Sequence, residues 1–266
     1  MAGRHLNRVE IRVIGMSRSG NHAIIDWVLS QARGRTCFVN CAEPGTNPFL
    51  SARPVSEHEP CYRASYADFD LAAEAAGRLS PKDLLVHSYE DVFLRTLCDG
   101  PAGSACDSQL GSSGRRIDLL ILRDPFNLFA SRLAGGIGHV TLATAGRIWC
   151  QHAREFLGLR RHLRNERVMV SYNAWASSPR YREQLAARLG VEFDDAAAEA
   201  VPAAGGGSSF DGTAFAGRAH EMRVFDRWRA YAGDPFYASV FTPPLVKLSE
   251  AVFGRAPMFE ELSEAA

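Results

Sequence analysis

Apolar and polar positions along the chain fall into two alternating kinds of run. Short, nearly continuous apolar runs rich in β-branched residues predict buried strands at 9–14 (VEIRVI), 36–39, 83–87 (DLLVH), 117–122 and 167–172 (RVMVSY). Between them lie segments with helical periodicity at 23–29, 68–78, 144–164, 179–189 and 219–230. A further helix starts at Asp124-Pro125, since Asp is a favoured N-cap and Pro suits the first helical turn, and Gly190 closes the 179–189 helix. Proline, glycine and serine mark loops at 43–60, 99–114 and 203–217, and the alanine-rich 196–204 reads as a helix end and linker. No internal repeat is visible. Strands alternating with helices predict an α/β fold of three layers, a mainly parallel sheet flanked by helices in the P-loop NTPase-like manner.

Length and composition narrow this picture. The chain has 266 residues and is 46% hydrophobic, enough for a single domain spanning 1–266. Lys+Arg and Asp+Glu both number 30, so bulk attraction to nucleic acid or an anionic membrane is not expected and any anion site must be local. No run of about 18 apolar residues predicts a transmembrane segment, and the polar stretch 1–10 lacks the apolar core of a secretory signal. The six cysteines (Cys37, Cys41, Cys61, Cys98, Cys106, Cys150) lack zinc-site spacing and read as reduced thiols of a cytoplasmic protein. Cys98 and Cys106 flank a loop and would pair only in an exported protein.

The candidate chemistry begins where the first strand ends. Gly15-Met16-Ser17-Arg18-Ser19-Gly20-Asn21-His22 has Walker A spacing between its glycines, but Asn21 and His22 replace the Lys-Ser/Thr pair that serves metal-dependent hydrolysis. The cation sits inside the loop, at Arg18. Backbone N–H groups, the following helix N-terminus and a guanidinium can still cradle a phosphate, with transfer chemistry that needs no metal. A second site follows at 117–133 (IDLLILRDPFNLFASRL): the strand delivers Arg123 to its carboxyl end, where open α/β sheets bind ligands. Asn127 and Ser131 lie one turn apart on the next helix, so Arg123 and Ser131 can converge on one anion.

With these motifs the sequence resembles the sulfotransferases that use 3′-phosphoadenosine 5′-phosphosulfate (PAPS). Ser17-Arg18-Ser19-Gly20-Asn21-His22 is similar to that family's 5′-phosphosulfate loop, with Arg18 in place of the usual Lys. Arg123-Asp124-Pro125 with Ser131 matches its 3′-phosphate motif in type and spacing. Leu85-Val86-His87 stands where the family carries its catalytic histidine, and Tyr172 where it carries a strand-end adenine contact. Gly205 to Ser209 with Arg218 is the counterpart of its late glycine loop, which assigns Ser208, Ser209 and Arg218 to the 3′-phosphate, although the usual Arg-Lys-Gly is missing. Ala23 replaces the frequent adenine-stacking Trp; Trp27, one turn on, reads as core.

The resemblance implies sulfuryl transfer to a hydroxyl or amine, leaving adenosine 3′,5′-bisphosphate, with no metal required. His87 is the expected general base, with Glu90 and Asp91 close enough in sequence to take that role; Arg18 is expected to stabilise the leaving phosphate and His22 the sulfuryl group. The acceptor (carbohydrate, lipid, peptide or small natural product) is not legible, and a homodimer is left open; its pocket is expected from loops 43–60, 98–114 and 135–141. Trp149, Trp175 and Trp228 read as core or subunit contacts, Arg160, Arg161 and Arg164 as a solvated helix face ahead of an acidic-substrate site, and Arg223, Arg227 and Arg229 as helix-surface charge by default, with lining of the acceptor cleft as the alternative. Two other readings stay open: a P-loop nucleotide kinase or phosphotransferase, which would need magnesium ligands, and a non-catalytic nucleotide-binding protein.

Overall fold

The computed structural model describes residues 5–54, 60–98, 108–203 and 206–255. Its centre is β1 (Asn7–Gly15), whose alternating residues are buried on both faces. β1 pairs in parallel with β4 (Lys82–Glu90) on one side and β5 (Ser113–Leu122) on the other. β2 (Thr36–Val39) extends the sheet beyond β4, and β6 (Glu166–Ser171) beyond β5, both parallel. With β3 (Tyr62–Ala64) at the edge beside β2, the order is β3-β2-β4-β1-β5-β6. Connections leave β1 toward both sides, so the carboxyl ends of β1, β4, β5 and β6 open one crevice at a topological switch point.

Strand periodicity sorts the two faces. Ile11, Val13, Leu84, Val86, Ile117 and Leu119 pack with Ile24, Ile25 and Val28 of α1 (Asn21–Ser30) and Leu185 and Leu189 of α8 (Pro179–Leu189). The opposite face carries Ile14, Tyr89 and Leu120 against Leu94, Leu97 and Leu163. A third cluster joins α5 (Pro125–Ala134) and α6 (Leu142–Phe156) to α9 (Pro235–Ala238) and α10 (Pro243–Phe253) around Trp149, Trp228 and Tyr237. The expected parallel-sheet, helix-flanked α/β class is the one observed. No helix among the described residues is long and apolar enough to cross a membrane.

Several boundaries differ from those the sequence predicts. Loop 43–60 holds a turn of helix, α2 (Pro48–Ser51), because Asn47 caps Phe49 N and Pro48 starts the turn. β3 (Tyr62–Ala64), unmarked by any apolar run, is held by antiparallel pairing with β2. The 68–78 helix shrinks to α3 (Leu71–Ala75), with Gly77 left-handed just beyond it. β4 runs three residues past His87, pairing Ser88, Tyr89 and Glu90 with Val13, Ile14 and Gly15. α4 (Leu94–Cys98) follows it. The 144–164 helix stops at Phe156, beside left-handed Gly158. Tyr172 opens a short α7 (Tyr172–Ser177), capped by Ser171. The 219–230 helix is two 3-10 turns, Ala219–Glu221 and Arg227–Tyr231. Cys37, Cys41, Cys61 and Cys150 are free thiols; Cys98 Sγ accepts from Arg12 Nη2 at 3.6 Å, and the Cys98–Cys106 pairing lies partly outside the described residues, as Cys106 does.

The second face of the sheet also buries charge. Arg12 reaches Asp118 at 2.8 Å, and Asp118 also accepts from Asn165. Glu10 accepts from Arg116 Nε at 3.0 Å and Ser113 Oγ, and lies 3.2 Å from His87 Nε2. Burial raises the Glu10 pKa, but hydrogen bonds from His87 and Ser113 and the charges of His87 and Arg116 outweigh it and bring it to about 2. A carboxyl depressed in the folded state contributes stability above its unfolded value and loses it as pH falls toward the folded value. Glu10→Gln is therefore expected to cost about 3 kcal/mol at pH 7, with the difference from wild type shrinking as pH drops from about 4.5 to 2. Urea unfolding across that range measures it; a constant difference would contradict the assignment.

Candidate active site

The phosphate loop is locked by its own side chains. β1 ends at Gly15, and Ser19 N donates to Met16 O at 2.9 Å, closing a tight turn. Ser19 Oγ accepts from Met16 N and donates to Asn21 Oδ1 at 2.7 Å, while Asn21 Nδ2 donates to Met16 O and to Glu90 Oε1 at 2.7 Å. Arg18 and Gly20 adopt left-handed backbone, φ 72° and 88°. Gly20 precedes α1 with no side-chain cap, which leaves the first N–H groups of α1 for another acceptor. A Cβ at Gly20 would drive into the Tyr172 ring, and one at Gly15 into Asn21 Oδ1. These two positions favour glycine because Tyr172 and the loop asparagine occupy that space.

Three guanidiniums meet above the strand ends. Arg18 donates to Gly207 O at 3.0 Å and lies against Gly135 beside Ser209; burial lowers its pKa, opposed by Glu90 and reinforced by Arg132. Arg123 is buried, with Nη1 on Arg18 O and Nη2 on Val224 O, both at 2.9 Å, and its guanidinium 4.8 Å from the Tyr172 ring centre. No carboxylate among the described residues pairs with it. Arg227 is also buried and donates to Asp211 at 2.7 Å. Burial lowers its pKa first and the charge of Arg123 lowers it further, so the two cations are close neighbours.

These groups line one cleft of about 430 Å³. Ser131 Oγ, Ser209 Oγ, Trp175 Nε1 and Arg227 Nε are buried atoms of cleft-lining residues without a hydrogen-bond partner among the described residues. Buried polar groups are rarely left so. They line the same cleft as Arg123, and such donors suit an acceptor-rich anion. Tyr172 stacks on Trp175 at 6.1 Å and 28°, giving the same cleft an aromatic wall, while Trp27 behind it is wholly buried core.

At the other end lie carboxylates. Glu90 ends β4 and Asp91 follows it directly, and both touch Ser17 Oγ, at 2.9 and 2.7 Å. Asp91 is left-handed (φ 55°), buried, and paired with Arg132 at 2.7 Å and His139 at 2.9 Å. Glu90 lines the cleft with His22, Asn40, Cys41 and Arg53; His22 Nε2 meets Asn40 Oδ1 at 3.0 Å and Arg53 pairs with Glu43. Burial, with Glu90 nearby, pushes the Cys41 thiol up to about 11, so it is a poor nucleophile.

Of the sequence-predicted site residues, Ser17, Arg18, Gly20, Asn21, His22, Arg123, Ser131, Tyr172, Ser208 and Ser209 line this cleft. Ser19 acts inside the loop. Asn127 turns away to Asp124 and to Trp228 N, bracing the 227–231 turn. Arg218 is exposed and paired with Glu221, and Gly205 lies outside the described residues. His87, the expected base, is 0% exposed inside β4, held by Glu10 and Tyr89, and is not among the residues that line the cleft. It lies an odd number of residues from Glu90, which puts the two side chains on opposite faces of the sheet. Arg227 and Trp175, read from sequence as surface charge and core, both line the cleft. Only the 3-10 geometry of 227–231 turns Arg227 inward, and no local pattern encodes it. Trp149 and Trp228 are core, Trp149 donating to Arg123 O at 2.9 Å, whereas Arg223 and Arg229 pair with Asp226 at the surface.

No protein-family model matches the chain, and comparison with curated proteins finds no match. Among solved structures the chain is similar to the mouse sulfotransferase SULT7A1 complexed with PAP, at 11% identity over 97% of this chain and 90% of that one, with a TM-score of 0.52. It is also similar to the sulfotransferase domain of the Synechococcus PCC 7002 olefin synthase (17% identity, 95% and 97% covered, TM-score 0.46). The sulfotransferase domain from the curacin biosynthetic pathway is a third (15%, 95% and 96%, TM-score 0.42). The first of these likenesses establishes the fold: the chain has the α/β fold of a sulfotransferase.

The Gly20 packing gives a direct test of the loop. Gly20→Ala combines a left-handed backbone with a clash against Tyr172, and is expected to destabilise by about 1–3 kcal/mol. Chemical denaturation reads it; a variant as stable as wild type would show that Tyr172 does not pack on the loop as described.

Proposed function

We propose that the protein is a sulfotransferase that takes a sulfuryl group from PAPS and places it on a hydroxyl or amine acceptor. The observation that carries this reading is a single cleft lined by two sets of groups suited to anions, candidate stations with the Ser17–His22 loop at one and Arg123, Ser131, Ser209 and Arg227 at the other. A nucleotide bearing phosphate on both its 5′ and 3′ positions fits two stations; one phosphorylated only at 5′ leaves the second, with its unpartnered donors, unused. The likeness in fold to a sulfotransferase complexed with PAP agrees with it.

When bound, PAPS supplies an activated sulfuryl group whose transfer leaves adenosine 3′,5′-bisphosphate. The chain's own groups then divide the work. The open N–H groups at the start of α1 and the Arg18 guanidinium hold the 5′-phosphate and stabilise the charge that grows there. Arg123, Ser131 and Arg227 hold the 3′-phosphate, with Ser208 and Ser209 on the loop above. Tyr172 and Trp175 form the adenine wall. Glu90, at the cleft and hydrogen-bonded to both Ser17 and Asn21, takes the acceptor proton in place of His87. His22 faces the acceptor end beside Asn40.

Calorimetric titration without added metal is expected to show preference for adenosine 3′,5′-bisphosphate over 5′-AMP. Arg123→Ala is expected to weaken the bisphosphate about 10- to 100-fold, the loss of charge-assisted hydrogen bonds, and to weaken AMP by less, through the lost brace on Arg18 O. Equal affinities would contradict a 3′-phosphate station. Glu90→Gln is expected to lower PAPS-dependent transfer by about 10²–10⁴-fold while bisphosphate affinity holds. His87→Ala is expected to reduce stability more than the rate per folded molecule. The reverse ranking in single-turnover assays would return the base role to His87.

A further inference from the structure

We propose that Glu90, Ser17, Asp91 and His139 form a proton relay that carries the acceptor's proton from the cleft to solvent. It rests on the sulfuryl-transfer reading for the origin of that proton. The chain of contacts is continuous: Glu90 Oε2 to Ser17 Oγ is 2.9 Å, Ser17 Oγ to Asp91 Oδ2 is 2.7 Å, and Asp91 Oδ2 to His139 Nε2 is 2.9 Å. Its inner end lines the cleft. Its middle is sealed, since the Asp91 side chain is 1% exposed, and its outer end is open, the His139 side chain being 50% exposed.

Hydrogen counting gives the chain its direction. The Ser17 hydroxyl owns one proton, yet two carboxylate oxygens sit within hydrogen-bonding distance. With both carboxylates ionised, one contact lacks a hydrogen. Once Glu90 has taken a proton, both Ser17 contacts are satisfied: Glu90 donates to Ser17 Oγ and Ser17 donates to Asp91. The cluster is complete in the state the reaction creates. Arg132 holds Asp91 Oδ1 at 2.7 Å and also donates to Ser17 O, which fixes that carboxylate and leaves Oδ2 to Ser17 and His139.

In the reaction the acceptor's O–H bond breaks as its oxygen bonds to sulfur. The electron pair of the opening sulfur–oxygen bond leaves with the 5′-phosphate oxygen, and the proton goes to Glu90. It then passes to Ser17 Oγ as the Ser17 proton passes to Asp91 Oδ2, and from there to His139 Nε2. His139 releases its Nδ1 proton to water; rotation of the Ser17 hydroxyl and return of the half-exposed His139 ring to its Nδ1–H tautomer by exchange with solvent reset the chain. Other charged or titratable groups face this pair of carboxylates. Arg18 acts on Glu90, Arg132 pairs with Asp91, Cys41 faces both, and His152 lies toward Asp91 with its pKa lowered to about 4, mainly by burial. His152 bonds to Val92 O and not to the chain.

The test is histidine ring titration by NMR on the full chain without ligand, using ¹⁵N-histidine labelling and assigning His139 from its absence in His139→Gln. Glu90→Gln is expected to move the His139 midpoint by about half a pH unit, and that shift is expected to fall by more than half in a Ser17→Ala background. An equal shift in both backgrounds, or none in either, overturns the relay, since charge acting through space does not need the Ser17 hydroxyl. Should Ser17→Ala fail to fold, His139→Gln provides the second measurement, with sulfate release from PAPS in water as readout. A loss of about tenfold that added imidazole restores is expected, at unchanged bisphosphate affinity; an unchanged rate, or a loss imidazole does not restore, overturns it. The ring titration needs no donor. Coupling in a protein that fails to bind adenosine 3′,5′-bisphosphate would keep the relay and remove the sulfuryl-transfer reading.

Discussion

A buried guanidinium without a carboxylate is the constraint on which this site turns. Arg123 is held by two carbonyl oxygens and faces an aromatic ring, and no acidic side chain among the described residues neutralises it. An unpaired buried charge is costly unless something of opposite sign completes it. Arg227 adds a second buried cation, whose pKa burial and Arg123 both lower. The chain sets these charges with backbone: Arg18 O and Val224 O come from the phosphate loop and from the segment leading into the 227–231 turn, so both must be in place before Arg123 is anchored. Folding of the phosphate loop, the β5–α5 turn and the late loop is thereby coupled at one side chain.

The sheet separates two kinds of buried charge. On one face, Glu10, His87, Arg116, Arg12 and Asp118 neutralise one another within the strands. At the carboxyl edge, cations are gathered without equal numbers of anions close by, and the carboxylates Glu90 and Asp91 are turned toward the phosphate loop and α5. The first arrangement is closed within the protein; the second leaves Arg123 without a carboxylate, which suits the anion of the proposed function. Because one strand, β4, supplies both His87 and Glu90, two residues three apart serve opposite faces.

That parity also explains what the sequence could disclose. The strand–glycine loop–helix of 9–29 and the Arg123-Asp124-Pro125…Ser131 step are local patterns, and the residues they name meet in one cleft. His87 was a reasonable base by position, but β4 extends to Glu90, and strand pairing with Val13, Ile14 and Gly15 decides that length rather than anything within 83–87. Arg227 reads as surface charge because 219–230 has helical composition, whereas tertiary contacts from Asn127 and Asp211 fold it into 3-10 turns and draw the guanidinium inward. The Asp91–His139 contact joins the end of β4 to the loop between α5 and α6, a meeting 48 residues apart that no local periodicity foretells.

A crystal structure with adenosine 3′,5′-bisphosphate tests the central claim most directly. The account predicts the 3′-phosphate between Arg123, Ser131 Oγ and Arg227 Nε, the 5′-phosphate on the loop of Ser17 to His22, and the adenine against Tyr172 and Trp175. A nucleotide bound with no phosphate at Arg123, or bound outside this cleft, would contradict it.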